Sequence, residues 1–100
     1  MPKASFNELI NGEKAVLIDF HATWCGPCQA LAPVLKEAAQ DLRGQAKIIK
    51  IDIDKHPKLA DQLKVRGVPT LILYRKGKQL WRQSGAMSKQ QLLSALGPHL

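Results

Sequence analysis

The sequence predicts an α/β domain: a central mixed sheet of four strands with helices on both faces. Three observations carry this expectation. A strand-like run at 15–20, a helical stretch at 26–42 and a second strand at 47–53 have the spacing of a βαβ unit, whose strands are parallel with a right-handed crossover. The run Ala15-Val-Leu-Ile-Asp-Phe20 is apolar on both of its faces, as in a central strand covered from both sides. The strands 70–74 and 79–82 flank Arg75-Lys-Gly-Lys78, a hairpin turn, so they are antiparallel. One hundred residues with 45% hydrophobic content can bury one core. The whole chain, 1–100, is therefore expected to form one domain without a linker.

Each element has its own local signal. Ser5-Phe-Asn-Glu8 fits a capping box, Phe6, Leu9 and Ile10 form an apolar stripe, and Gly12 is a stop, which predicts a helix over about residues 5–12. In the first strand Val16, Ile18 and Phe20 face one side, and Leu17 and Asp19 the other. The helix at 26–42 has Leu31, Val34, Leu35, Ala38 and Leu42 on its core stripe, with Gly44 beyond its end. Pro33 lies inside it and should bend it, because proline offers no N–H to residue 29. A shorter helix at about 57–64 begins with Pro57 and packs Leu59, Ala60 and Leu63 inward. The last helix starts at Ser88-Lys-Gln-Gln91, another capping box, uses Leu92, Leu93 and Leu96, and ends at Gly97-Pro98.

Both cysteines of the chain fall in Trp24-Cys-Gly-Pro-Cys28, at the junction of the first strand and the long helix. A dithiol there is a place for redox chemistry. A free thiol with a pKa of about 8.5 is only about 3% thiolate at pH 7. The unpaired N–H groups and partial positive charge of a helix N-terminus shift that balance toward the thiolate. Cys25, at the exposed start of the helix, is expected to attack, and Cys28, one turn in and deeper, to resolve. Zinc wants four ligands, and one C-x-x-C with His21, His56 and His99 scattered elsewhere gives no such set.

With this placement the chain resembles the thioredoxin family. The resemblance covers nearly the whole sequence. It rests on Trp24-Cys-Gly-Pro-Cys28, Asp19-Phe20, Lys50-Ile-Asp52, Gly67-Val-Pro-Thr70 and Gly85, in that family's order. It implies a thioredoxin-like fold and protein-disulfide reduction by dithiol–disulfide exchange, with no cofactor other than the redox-active Cys25–Cys28 pair. It also implies a buried Asp19–Lys50 pair beneath the dithiol, with Asp19 acting through water as the base for Cys28. Such a carboxylate is expensive to bury unless it is partnered or neutral. Pro69 is expected to be cis, which brings its loop beside Cys25 and leaves the Val68 backbone to pair with an extended substrate segment. Trp24, Gly26, Pro27 and Gly85 complete the docking surface. Tyr74, Trp81 and Phe6 read as ordinary packing, and Met87 has no argued role. His21, Thr23 and Gln29 depart from the residues usual in the family. The family usually opens with an extra strand; only Met1 to Ala4 precede Ser5 here, so that strand is expected to be missing and 47–53 to be a sheet edge.

The charge is uneven. Residues 1–49 hold five basic and five acidic side chains and residues 50–100 ten and three, so the whole net charge of +7 lies in the second half. The basic residues are dispersed over several elements and only five aromatic residues exist to stack bases, so nucleic acid is not an expected partner. The expected partners are disulfide-containing proteins and, by resemblance, an NADPH-dependent thioredoxin reductase. With neither a leader pattern nor a membrane-length apolar segment, the chain reads as cytoplasmic; a monomer is expected, with pairing of two copies through the 47–53 edge left open. Two alternatives stay open: a redox protein dedicated to one partner, and a binding module that uses the same fold as a scaffold.

Overall fold

A computed structural model describes residues 3–100. Helix α1 spans Lys3–Ile10, strand β1 Ala15–His21, α2 Gly26–Asp41, β2 Ala46–Asp52, α3 Pro57–Gln62, β3 Thr70–Arg75, β4 Lys78–Ser84 and α4 Lys89–Leu96, followed by a 3₁₀ turn at Gly97–His99. The sheet order is β2-β1-β3-β4. β1 runs parallel to β2 and antiparallel to β3, and β3 is antiparallel to β4. The expected mixed sheet is therefore present, with β2 as one of its edges among the described residues. The expectation that no strand precedes α1 falls partly on Met1 and Pro2, outside those residues.

β1 is central and has two buried faces. On one, Val16, Ile18 and Phe20 join Phe6 and Ile10 of α1, Leu59 and Ala60 of α3, and Ile72 and Tyr74 of β3. On the other, Ala15 and Leu17 meet Leu31, Leu35 and Ala38 of α2 and Leu92 and Leu96 of α4. Helices thus cover both faces because the strand is apolar at consecutive positions. Pro33 lies within α2, whose helix continues past it. The Phe6 and Tyr74 rings meet edge to face with centroids 5.6 Å apart, and Met87 is buried in the α2/α4 core.

Two local expectations are corrected. α1 begins at Lys3, so Ser5 is inside the helix rather than its cap. Burial of Phe6 and Ile10, one turn apart, holds this helix to the core, and that packing outweighs the local capping signal. The helix stops at Ile10, before Gly12, because the Ile10 carbonyl accepts the Gly77 N–H of the β3–β4 turn at 2.9 Å. Lys76 and Gly77 both have positive φ, 53° and 78°, as a two-residue hairpin turn requires. At the other end of the chain, the Ser88 capping box is formed as read: Ser88 Oγ accepts the Gln91 N–H and Gln91 Oε1 accepts the Ser88 N–H.

Candidate active site at the Cys25–Cys28 turn

β1 ends at His21 and the chain turns into α2, with Cys25 as the N-cap in extended conformation. Its sulfur does what a capping oxygen usually does. Cys25 Sγ accepts the Cys28 N–H at 3.2 Å, one of the donors that a helix start leaves without an intrahelical partner. Gly26 and Pro27 form the first helical positions, where proline's missing N–H costs nothing. Cys25 and Cys28 are joined in a disulfide, with Cα atoms 5.3 Å apart.

The expectation that Cys25 is exposed and Cys28 deeper is corrected. Cys25 is 4% exposed and Cys28 7% exposed, so neither sulfur stands clear of the surface. The reason is tertiary. Val68 and Ile53 pack over the pair, and the Val68 carbonyl oxygen lies 3.6 Å from Cys25 Sγ. The Val68–Pro69 bond is cis, as expected. The loop is fixed from behind. Thr70 Oγ1 donates to the Gly67 carbonyl at 2.6 Å and lies 3.0 Å from Ser84 Oγ, and the Gly85 N–H donates to the Pro69 carbonyl at 2.8 Å. Gly85 has a φ of +95°, a region that a residue with a Cβ adopts only under strain.

Around the dithiol, Gly26, Pro27 and Gly85 are exposed and Val68 half-buried, while Pro69 is buried. Trp24 is 68% exposed, the one large apolar side chain beside the disulfide that faces water. Its indole Nε1 donates to Asp54 Oδ2 at 2.8 Å. Asp54 is a site residue the sequence reading missed. The Asp52-x-Asp54 spacing carried half of the signal, since Asp52 Oδ1 accepts the N–H groups of Asp54 and Lys55 and shapes the turn. The reach of Asp54 to Trp24 is tertiary and left no local trace.

Beneath the disulfide lies an open cavity of about 140 Å³, lined by Asp19, His21, Ala22, Thr23, Cys28, Gln29, Ala32 and Lys50. Asp19 is 4% exposed, and among the described residues its Oδ1 has no hydrogen-bond partner. Burial pushes its carboxyl above the usual range, while the charges of His21 and then Lys50 pull it back. The expected buried Asp19–Lys50 pair is corrected. The two are register partners across β1 and β2, but Lys50 is exposed, and among the described residues no ion pair joins them. β2 is an edge strand, and from it Lys50 lines the cavity while remaining exposed, as a long lysine does when its charged end reaches water. Gln29 Nε2 donates to the Thr23 carbonyl at 3.1 Å and closes one side of the cavity. Among the described residues no group of three or more His, Cys, Asp or Glu side chains is placed to hold a metal ion.

Comparison with known proteins gives the same direction. The family model described as Thioredoxin matches residues 1–97. The chain is 44% identical over 94 residues to "Thioredoxin-like protein slr0233" of Synechocystis, an alignment covering 93% of this chain and 90% of that protein. It is 43% identical over 91 residues to the "Bifunctional thioredoxin reductase/thioredoxin" of Mycobacterium leprae, covering 91% of this chain and 20% of that protein. It is 40% identical over 93 residues to "Thioredoxin Y1, chloroplastic" of Arabidopsis thaliana, covering 92% of this chain and 54% of that one.

Proposed function

The chain belongs to the thioredoxin family and is a thiol–disulfide oxidoreductase that reduces protein disulfides; from that premise we propose the residues and steps by which it works. In the reduced protein the Cys25 thiolate attacks a substrate disulfide, forms a mixed disulfide and expels one substrate thiolate. Asp19 takes the Cys28 proton through water in the cavity they share. Cys28 then attacks Cys25, the Cys25–Cys28 bond forms, and the second substrate thiolate leaves. Two electrons pass to the substrate. The observation that carries this reading is Cys25 Sγ in the N-cap position, accepting the Cys28 N–H. The same N–H stabilises a sulfur anion there, both as attacking thiolate and as leaving group.

Substrates dock on Trp24, Gly26, Pro27, Val68, Pro69 and Gly85, with Asp54 holding the indole in place. Lys50 contributes its charge at the cavity mouth. The partners are disulfide-containing proteins and an NADPH-dependent thioredoxin reductase; one relative carries both names in one polypeptide. No cofactor beyond the dithiol is needed. Residues 1–100 act as one domain, as a monomer. The location proposed is the cytoplasm, a compartment whose thiol pools keep such a dithiol reduced and ready to attack. The test is insulin-disulfide reduction. Cys25→Ser is expected to lose activity entirely, and activity surviving in that variant overturns the assignment of the nucleophile.

A further inference from the structure

His21 is the titratable side chain of the cavity to which the scheme above gives no task. It sits two residues beyond Asp19 on β1, so both project from the same face of the strand. Both line the cavity that Cys28 closes from α2. The two differ in access: Asp19 is buried, whereas His21 is half-buried at the strand end and so reaches both the cavity and solvent. We propose that His21 is a second proton acceptor for Cys28, working beside Asp19 from the same cavity. This rests on the reading of Asp19 as a base.

In the mixed disulfide, the Cys28 S–H proton passes to a neutral imidazole nitrogen, directly or over a cavity water. The Cys28 sulfur bonds to Cys25 Sγ, the bond from Cys25 to the substrate sulfur breaks, and the electron pair leaves with the substrate thiolate. The imidazolium returns its proton to solvent through the cavity mouth. The step moves one proton inside the protein and uses no oxidant beyond the substrate disulfide already bound.

The surrounding charges suit the task. Asp19 on β1 stabilises the imidazolium once formed, and Lys50, lining the cavity from β2, opposes it and so favours return of the proton. Asp52, the register neighbour of His21 on β2, has its Oδ1 engaged by the N–H groups of Asp54 and Lys55. From α2, Cys28 lines the same cavity as His21, together with the uncharged Gln29 and Ala32, and Thr23 lines it from the turn before the helix. Histidine is the side chain that changes charge between about pH 5 and 8, so its contribution carries a pH signature that a packing role lacks.

The experiment is a single-turnover measurement of mixed-disulfide resolution from pH 5 to 9, on the full chain with a small disulfide substrate. It compares wild type, His21→Phe, Asp19→Asn and the double variant. A positioned base is worth about a hundredfold or more, so removing one of two acceptors costs about three- to tenfold and removing both about a hundredfold. His21→Phe is also expected to lose an ionisation from its rate profile between pH 5 and 8. His21→Gln, polar and of similar size, replaces the phenylalanine variant if that one does not fold. The proposal is overturned if the histidine variant follows the wild-type profile at every pH and the double variant matches Asp19→Asn. Failure of the Asp19 reading looks different: Asp19→Asn then matches wild type while His21→Phe alone slows resolution.

Discussion

The two faces of β1 are built from alternate residues of one strand, yet they serve opposite ends. Val16, Ile18 and Phe20 face α1 and α3 in a layer of hydrocarbon, where the polar intruder is the Tyr74 hydroxyl. Leu17, Asp19 and His21 face the α2 side, where a carboxylate with an unpartnered oxygen is buried below the dithiol. Burying that group costs stability, because an unsatisfied polar atom loses its hydration without a replacement. The difference lies in kind: on the side that reaches Cys28 the unpartnered group is an ionisable carboxyl of the strand itself, whereas on the side that anchors α1 and α3 it is a neutral hydroxyl from β3.

Substitutions on the two faces should break this contrast in order of size. Phe20→Ala, on the hydrocarbon face, is expected to cost about 3–5 kcal/mol in urea unfolding, since the ring is wholly buried. Reductase activity per folded molecule should stay unchanged; an equal loss of activity would mean that the faces are not separate in function. Asp19→Asn should do the reverse, slowing resolution while stabilising the fold at pH 7, because the amide stays neutral where the buried carboxyl would have to ionise. The sign follows from burial, which raises the folded-state pKa of Asp19 above its unfolded value. The folded state therefore binds the proton more tightly, and wild-type stability falls as pH rises from the unfolded toward the folded value. The gain in Asp19→Asn is full above that window and fades as pH drops to the ordinary carboxylate range. A gain that instead grew on acidification would contradict the account.

Smaller effects sharpen the same contrast. Tyr74→Phe removes a buried hydroxyl that has no partner among the described residues and is expected to be neutral or stabilising by about 1 kcal/mol, measured as a shift of the unfolding midpoint. A clear loss of stability would show that the hydroxyl has a partner in solution. Asp54→Ala lies on neither face. It frees the indole of Trp24 and should raise KM for a protein disulfide about two- to fivefold, the worth of one exposed hydrogen bond, with kcat unchanged. A fall in kcat with KM constant would place Asp54 in the chemistry rather than in docking.

The sequence disclosed what periodicity and turn chemistry encode. Double-faced apolarity placed β1 at the centre, the Ser88 box opened α4, and the Cys-Gly-Pro-Cys spacing put the sulfurs at a helix start. It misled where a tertiary contact outweighed a local one. Ser5 looked like a cap, but the burial of Phe6 and Ile10 carried α1 past it. Cys25 looked exposed because its covering group, the Val68 carbonyl, comes from 43 residues away. Lys50 looked like a buried partner because the family resemblance implied the pair; it does stand opposite Asp19 across β1 and β2, but on the edge strand β2 it is exposed. The Asp54–Trp24 bond joins residues 30 apart, beyond the range of any local pattern.

Catalysis by this dithiol depends on the unequal ionisation of two sulfurs that share one turn of helix. Alkylation of the reduced protein across pH, with the two sites resolved by mass spectrometry, measures it directly. Cys25 should react rapidly at neutral pH, its rate rising at a lower pH than that of a cysteine in a short peptide, while Cys28 remains slow. Two cysteines that react alike, each following the peptide profile, would contradict it.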